Sequence, residues 1–418
     1  MLSIKRLPFI LLRADRNIIF PRKALISTTI SSTNVELKEW DDIPGPSSLP
    51  VIGQLLHFIP GGDLYKPELP LNDVLYNKYG PIVRMGGYFG VPKMVYIYDA
   101  DMVEYVLRSE DQLPHRPMLL SLEYYRKYYK KNKNHSTTER TGLLTDQAEM
   151  WKATRSTVNP IMLNPKTIKL YFGTFDEMTE DFIRSLIRYF MKNSIEGLKK
   201  QPPRSNDEKG VLEKLLEIDE KVAFIIGSDS LFAGVDTTAN VLITALHFLA
   251  TNQDKQNKLR ENLKSNDEKN LYLKACIKET LRLLPVIPAN RRKASRDYKI
   301  MGYKIPKDVI MVVNHQTLCH SEQNYPKAKE FIPERWIVDK SDPLYHGNAH
   351  KFAYSPFGYG SRSCIGKRIA QVQMEVFLKK IIQNFHIGWN GSPPKIKTSV
   401  VNHYPERLMF VLRDITEK

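Results

Sequence analysis

The chain has 418 residues, 42% of them hydrophobic, which is enough to bury a large core. Its 62 Lys+Arg against 46 Asp+Glu leave a net charge of +16, favouring acidic partners. No zinc-finger spacing and no basic tract interleaved with aromatics accompanies that charge, so nucleic acid is excluded in favour of an acidic protein.

Residues 1–34 carry Lys5, Arg6, Arg13, Arg16, Arg22 and Lys23 against Asp15 alone, with Ser and Thr dense from Ser27 to Thr33. A basic, Ser-rich, acid-poor leader reads as a mitochondrial transit peptide. The early apolar stretch Leu7–Leu12, broken by Pro8, is far shorter than the ~18 apolar residues of a membrane span. Ile43-Pro44-Gly45-Pro46 is a hinge into the domain that starts near residue 40. After the turn Tyr79-Gly80-Pro81 come two expected strands, Ile82–Met85 and Met94–Tyr98. A helix is expected from Asp101 to Arg108, capped by Asp99 or Asp101. Glu123–Asn134 reads as an exposed helix and His135–Thr141 as a polar loop. A helix over Gln147–Val158 places Trp151 and Arg155 on one face. Residues 165–200 are amphipathic and helical, and Gln201–Gly210 is a polar connector. Val211–Leu249 is expected as one long helix, apolar around much of its girth and therefore central and buried. A helix over Tyr272–Leu284, a strand over Val309–Val313 and a helix over Cys364–Phe385 complete the reading. The fold class is mainly α with minor β.

Three cysteines, Cys276, Cys319 and Cys364, are too sparse for a disulfide framework and fit a reducing compartment. Only Cys364 has unusual surroundings, in Phe357-Gly358-Tyr359-Gly360-Ser361-Arg362-Ser363-Cys364-Ile365-Gly366. Two glycines allow a tight backbone path before it. A helix starting at or just after Cys364 is expected to stabilise its thiolate. Arg362 offers a cation to an acidic group on a flat cofactor, and Gly366 lets a planar ligand come close to the backbone. This segment resembles the haem-binding loop of the cytochrome P450 family, Phe-Gly-x-Gly-x-Arg-x-Cys-x-Gly, at every fixed position.

The resemblance implies a P450 fold and a haem b cofactor held through Cys364, whose thiolate favours O–O cleavage. It implies a monooxygenase acting on a lipophilic molecule, steroid-like or xenobiotic. Phe357, Arg362 and Gly366 would line the haem. Trp151 and Arg155 match the family's propionate-binding Trp-x-x-x-Arg, and Arg292 falls at the other propionate position, with Arg291 beside it. Ala233-Gly234-Val235-Asp236-Thr237-Thr238 matches the distal motif. Asp236 would relay protons and Thr237 would hydrogen-bond at the oxygen site, in a groove where the helix ladder opens. Glu279 and Arg282, with Arg335 from Phe331–Trp336, would form a buried structural triad.

Leu273–Thr280 is similar to the mitochondrial branch, in which Lys274 and Lys278 would dock an adrenodoxin-type ferredoxin, with Lys367 and Arg368 extending the patch. Location on the matrix side of the inner membrane, with peripheral membrane contact, follows from the same resemblance. Val158–Met162 and Phe331–Trp336 resemble insect mitochondrial members. The chain departs from the family around 185–210 and 252–271, where helices of the pocket roof and an extra helix and loop are missing. Well-matched sequence on both sides of each gap points to skipped or mispredicted exons. A non-catalytic or unstable truncated haem protein is the competing expectation.

Overall fold

The computed structural model describes residues 37–66, 69–86, 91–117, 120–124, 126, 141–169, 198, 205, 208–264, 269–398, 401–406 and 408–415. The leader, most of the Tyr/Lys-rich segment, and most of 170–210 lie outside the described residues. Lys38–Lys418 form one compact unit.

Its elements run α1 (Leu71–Tyr79), β1 (Ile82–Met85), β2 (Met94–Ile97), α2 (Ala100–Arg108), α3 (Leu120–Tyr124), α4 (Ala148–Met162), α5 (Pro165–Lys169), α6 (Val211–Leu216) and α7 (Glu220–Thr251). Then follow α8 (Gln253–Lys264), α9 (Leu271–Leu283), β3 (Ala289–Lys293), β4 (Tyr298–Ile300), β5 (Tyr303–Ile305), β6 (Ile310–Asn314) and α10 (His315–Cys319). The last are α11 (Lys367–Asn384), β7 (Phe385–Trp389), β8 (Lys397–Thr398), β9 (Asn402–His403) and β10 (Phe410–Asp414). Helices dominate, with short strands.

The main sheet has the order β1-β2-β6-β3. β2 and β6 run parallel, and the outer pairs are antiparallel. All five residues of β6 are buried, as befits a strand covered on both faces. Side chains alternate: Ile82, Val95, Ile97, Met311 and Val313 join the core of α2, while Val83, Met85, Tyr96, Ile310 and Val312 join α1. Helix α2 starts where expected, because the Asp99 carboxylate accepts the Met102 amide at 2.9 Å.

The expected long helix Val211–Leu249 is two. Asp219 accepts the amides of Lys221 and Val222 at 2.7 and 3.1 Å and so starts α7 afresh after α6. The C-terminal part of α7 is core: Val241, Ala245 and Leu249 pack with Leu259 of α8, Leu273 and Ile277 of α9, and Met374 and Leu378 of α11. Its N-terminal part packs Val222 and Ile226 against Val158 and Met162 of α4 and Leu215 of α6. Helix α7 is long and apolar enough to cross a membrane, yet both its ends are built into the core. The expectation of burial throughout fails: only 22% of its most apolar 18-residue window is buried, and Phe232 is 55% exposed.

Candidate functional site

Cys364 stands at the end of a loop shaped by Gly358 and Gly360, both at φ +71°, where other residues are strained. The loop closes on itself: Gly358 N–H donates to the Ser355 carbonyl at 2.9 Å, Ser363 N–H to Gly360 at 3.0 Å, and Cys364 N–H to Phe357 at 2.8 Å. Helix α11 begins at Lys367 with Gly366 as its N-cap, just past the cysteine. Cys364 is exposed, whereas Cys276 and Cys319 are buried. Dense protein around it still strips water from the sulfur and pushes the thiol above its ordinary value. The Gly366 amide, Arg116, Arg155 and Lys367 pull the other way without prevailing. The helix N-terminus therefore does not by itself deliver the expected thiolate.

Around this sulfur gather guanidinium groups from distant parts of the chain. Arg362 is buried: its Nε donates to the Pro114 carbonyl at 2.9 Å, and its Nη2 to Gln147 Oε1 at 2.8 Å and to the Asp146 carbonyl at 3.4 Å. The same guanidinium lies 3.7 Å from the ring centroid of buried Trp151, a close cation–π contact. Arg155, one turn along α4, donates Nη2 to the Ser363 carbonyl at 2.9 Å, and its buried Nε has no partner. So Trp151 and Arg155 do share a face, and that face meets the cysteine loop. On β3 the alternation buries Arg292 and leaves Arg291 half-buried. Arg292 Nε donates to the Glu110 carboxylate, its Nη1 to the Arg291 carbonyl at 3.0 Å, and its Nη2 to the Tyr359 carbonyl at 3.4 Å.

Sequence reading missed Arg116 and Glu110. Arg116 is pinned between Pro114 and Pro117, and its main chain exchanges hydrogen bonds with the Gln147 side chain. An arginine between two prolines is the signal that was available. Burial first, then the like charges of Arg292 and Arg155, pushes Arg116 down to about 10. Burial first, then Arg116, Arg292 and Arg155, pushes Arg362 down to about 9. Cations that depress one another around a thiol are short of negative charge. A flat group with two carboxylates and a thiolate-seeking metal would relieve the cations, engage the orphaned Arg155 Nε and use Cys364. A Cβ at Gly366 would lie 3.9 Å from Cys364 Sγ, so the glycine keeps that flank of the sulfur open. The residues fit haem.

Asp236 and Thr237 sit mid-way along α7, Asp236 exposed and Thr237 half-buried. The helix is unbroken through 233–238, so the expected opening of its ladder is absent. Thr237 Oγ1 instead donates back to the Ala233 carbonyl at 2.6 Å. Relief of packing comes from Gly234, beside which there is open space. Among the described residues no hydrogen bond joins Asp236 or Thr237 to the cysteine loop.

The triad is assembled and fully buried. Arg282 Nε and Nη2 grip the two oxygens of Glu279, each at 2.9 Å, and Arg335 Nε reaches Oε1 at 2.9 Å. Arg282 spends its other donors on the carbonyls of Cys319, Ala328 and Glu330. Trp336 Nε1 and the Ile332 amide also donate to Glu279. Glu334, on the same turn, accepts from Tyr272 at 2.9 Å and Lys258 at 3.0 Å.

Lys274 and Lys278, one turn apart on α9, reach the surface beside the buried triad. Lys274 Nζ is 3.9 Å from Glu375, and Lys278 Nζ is 5.5 Å from the Trp336 ring centroid. Burial first, then the charges of Lys274 and Lys367, pushes Lys278 down. The three lysines therefore form one basic patch next to the cysteine loop, with Lys367 Nζ 5.7 Å from the centroid of Phe357.

The sequence pattern of the family described as cytochrome P450 matches residues 43–199 and 198–410. Cytochrome P450 CYP12A2 of Musca domestica is 29% identical, over 86% of this chain and 89% of that one. Probable cytochrome P450 12c1, mitochondrial, of Drosophila melanogaster is 30% identical, over 92% and 94%. The aligned lengths, 481 and 502 residues, exceed the 418 of this chain, so both relatives have positions without a counterpart here. Retinoic acid bound cyanobacterial CYP120A1 shares the fold, with a TM-score of 0.71 at 18% identity over 91% of this chain and 100% of that one. The chain belongs to the cytochrome P450 family of haem-thiolate monooxygenases.

Proposed function

We propose that the chain works in mitochondria, inserting one atom of O2 into a lipophilic small molecule, steroid-like or xenobiotic, with electrons from an adrenodoxin-type ferredoxin. The observation that carries this reading is the exposed Cys364 thiol set among mutually repelling arginines. Thiolate-ligated haem, when bound, supplies O–O cleavage chemistry. The chain's own residues do the rest. Cys364 would hold the iron. Arg116, Arg155, Arg292 and Arg362 would hold the carboxylates, with Trp151 bracing Arg362 from behind. Gly366 and Phe357 shape the floor. Thr237 Oγ1, already donating to Ala233, keeps lone pairs with which to accept a hydrogen bond. Asp236 is exposed and can exchange protons with solvent.

The basic patch Lys274, Lys278 and Lys367 suits an acidic electron donor. The mitochondrial names of relatives and the basic residues 1–34 support import to the matrix side of the inner membrane, with the domain from residue 40 as the working part. Family matches that meet at residues 198–199, and alignments longer than the chain, support a shortening around 185–210. Helix α8 starting directly after Asn252 supports a second around 252–271.

The exposed middle of α7 favours a second reading, a haem protein that assembles poorly and does not turn over. The carbon-monoxide difference spectrum of the purified chain separates them. A thiolate-type Soret band that vanishes in Cys364→Ser supports the monooxygenase. A wild-type chain without that band supports the second reading, and a band that survives the substitution removes Cys364 from its role.

A further inference from the structure

We propose that Glu110 is the built-in counter-charge of the arginine cradle, setting how firmly the cradle grips a dicarboxylate porphyrin and how easily the bound iron is reduced. The inference rests on the haem reading above. Glu110 follows α2 and faces two ways. One carboxylate oxygen accepts Arg292 Nε, in a pair whose side chains are only 10% and 3% exposed. The other lies 3.5 Å from where a Cβ of Gly360 would stand, so the carboxylate abuts the cysteine loop itself. Its charge also acts on Arg362 and Arg116.

The neighbouring carboxylate does not share this task. Asp146 gives its oxygens to the Thr141 amide and hydroxyl and the Gly142 amide, and offers Arg362 only its main-chain carbonyl. Among the described residues Glu110 is thus the carboxylate that ion-pairs inside the cluster. Four guanidiniums carry four positive charges. Glu110, a cysteine thiolate and two porphyrin carboxylates carry four negative ones, and the iron–porphyrin core would add one positive charge when ferric and none when ferrous. With Glu110 ionised the cradle would balance around a ferrous dicarboxylate porphyrin and hold one surplus positive charge around a ferric one.

Charges in a dry, low-dielectric site act on one another strongly. Without the Glu110 charge the cradle holds one further positive charge. That surplus attracts a dianion and favours the less positive, ferrous iron. Glu110→Gln is therefore expected to raise the midpoint potential of the holoprotein, changing the reduced-to-oxidised ratio about threefold or more, about 28 mV for one electron. It is also expected to slow loss of haem to excess apomyoglobin several-fold. Loss of haem dimethyl ester, which carries no propionate charge, should be unchanged. Glu110→Asp, which keeps the charge, should match the wild type in all three measurements.

The double variant Glu110→Gln/Arg292→Gln removes the pair together and leaves no lone buried charge. It restores the net charge, so its potential should lie closer to wild type than that of Glu110→Gln, while haem is lost faster because Arg292 no longer holds a carboxylate; it serves if Glu110→Gln alone does not fold. An unmoved potential in Glu110→Gln, or a double variant shifted upward as far as Glu110→Gln, overturns the proposal. Equally faster loss of haem and of its ester reduces Glu110 to a structural prop. A wild-type chain that retains no haem sinks the functional reading, and this inference with it.

Discussion

At Cys364 the loop geometry and the local electrostatics oppose each other. The loop and the helix that follows it offer an amide and nearby cations to the sulfur, but lost hydration outweighs them. A metal therefore has to displace the proton. His315 shows the same desolvation acting on a base. Its imidazole is buried at the start of α10, and burial pushes it down to about 4, offset in part by the Ile287 main chain. Unfolded, it titrates near 6.5. Between those values the unfolded chain binds a proton that the folded chain refuses, so stability present above pH ~6.5 is lost as the pH falls towards 4. His315→Gln is expected to lose less stability than the wild type between pH 7 and 4.5, the gap being about 2 kcal/mol. Parallel melting curves across that range would remove this residue from the acid response.

Helix α9 carries two chemistries, one buried and one at the surface. Inward, Glu279 sits fully buried between two guanidiniums. Replacing it with Gln strands both cations in the core, at a cost of about 3–5 kcal/mol. Urea denaturation should register that loss, whereas a change below ~1 kcal/mol would mean that the carbonyls around Arg282 and Arg335 suffice alone. Outward, Lys274 and Lys278 stand free enough to meet a partner. Lys274→Glu with Lys278→Glu is expected to slow reduction by an acidic ferredoxin at least tenfold at low salt, with the deficit shrinking as salt rises. A rate that ignores both the substitutions and the salt would show that the donor docks elsewhere.

For the whole molecule the question is what covers α7. Its two ends are locked into separate cores, while Phe224 on the outer side of the N-terminal end and Phe232 in the middle stay exposed. Apolar surface of this kind invites association. Following the shortening proposed around 185–210, replacing residues 201–210 with the segment that a CYP12 relative carries at the aligned position is expected to lower binding of a hydrophobic dye such as ANS and to raise the melting temperature by several degrees. Unchanged dye binding would show that the chain already covers α7 by its own means.

A short apolar run after the turn Tyr79-Gly80-Pro81 made Ile82–Met85 legible as a strand, and Asp99 marked the start of α2, because both signals are local. The cysteine loop was legible because its glycines and its cysteine have to stand at fixed spacing. The break at Asp219, helix α8 and strand β3 were not legible, since an aspartate among charged residues can sit inside a helix as well as cap one, α8 has few apolar residues to set a period, and a strand rich in arginine shows no alternation. By itself the sequence determined the family, the cysteine and the members of the triad. Only the tertiary structure decided that Arg116 and Glu110 lie beside the cysteine loop and that Phe232 in the middle of α7 stays exposed. Long-range charge balance and burial depend on segments far apart in the chain, and spacing along the sequence carries no record of them.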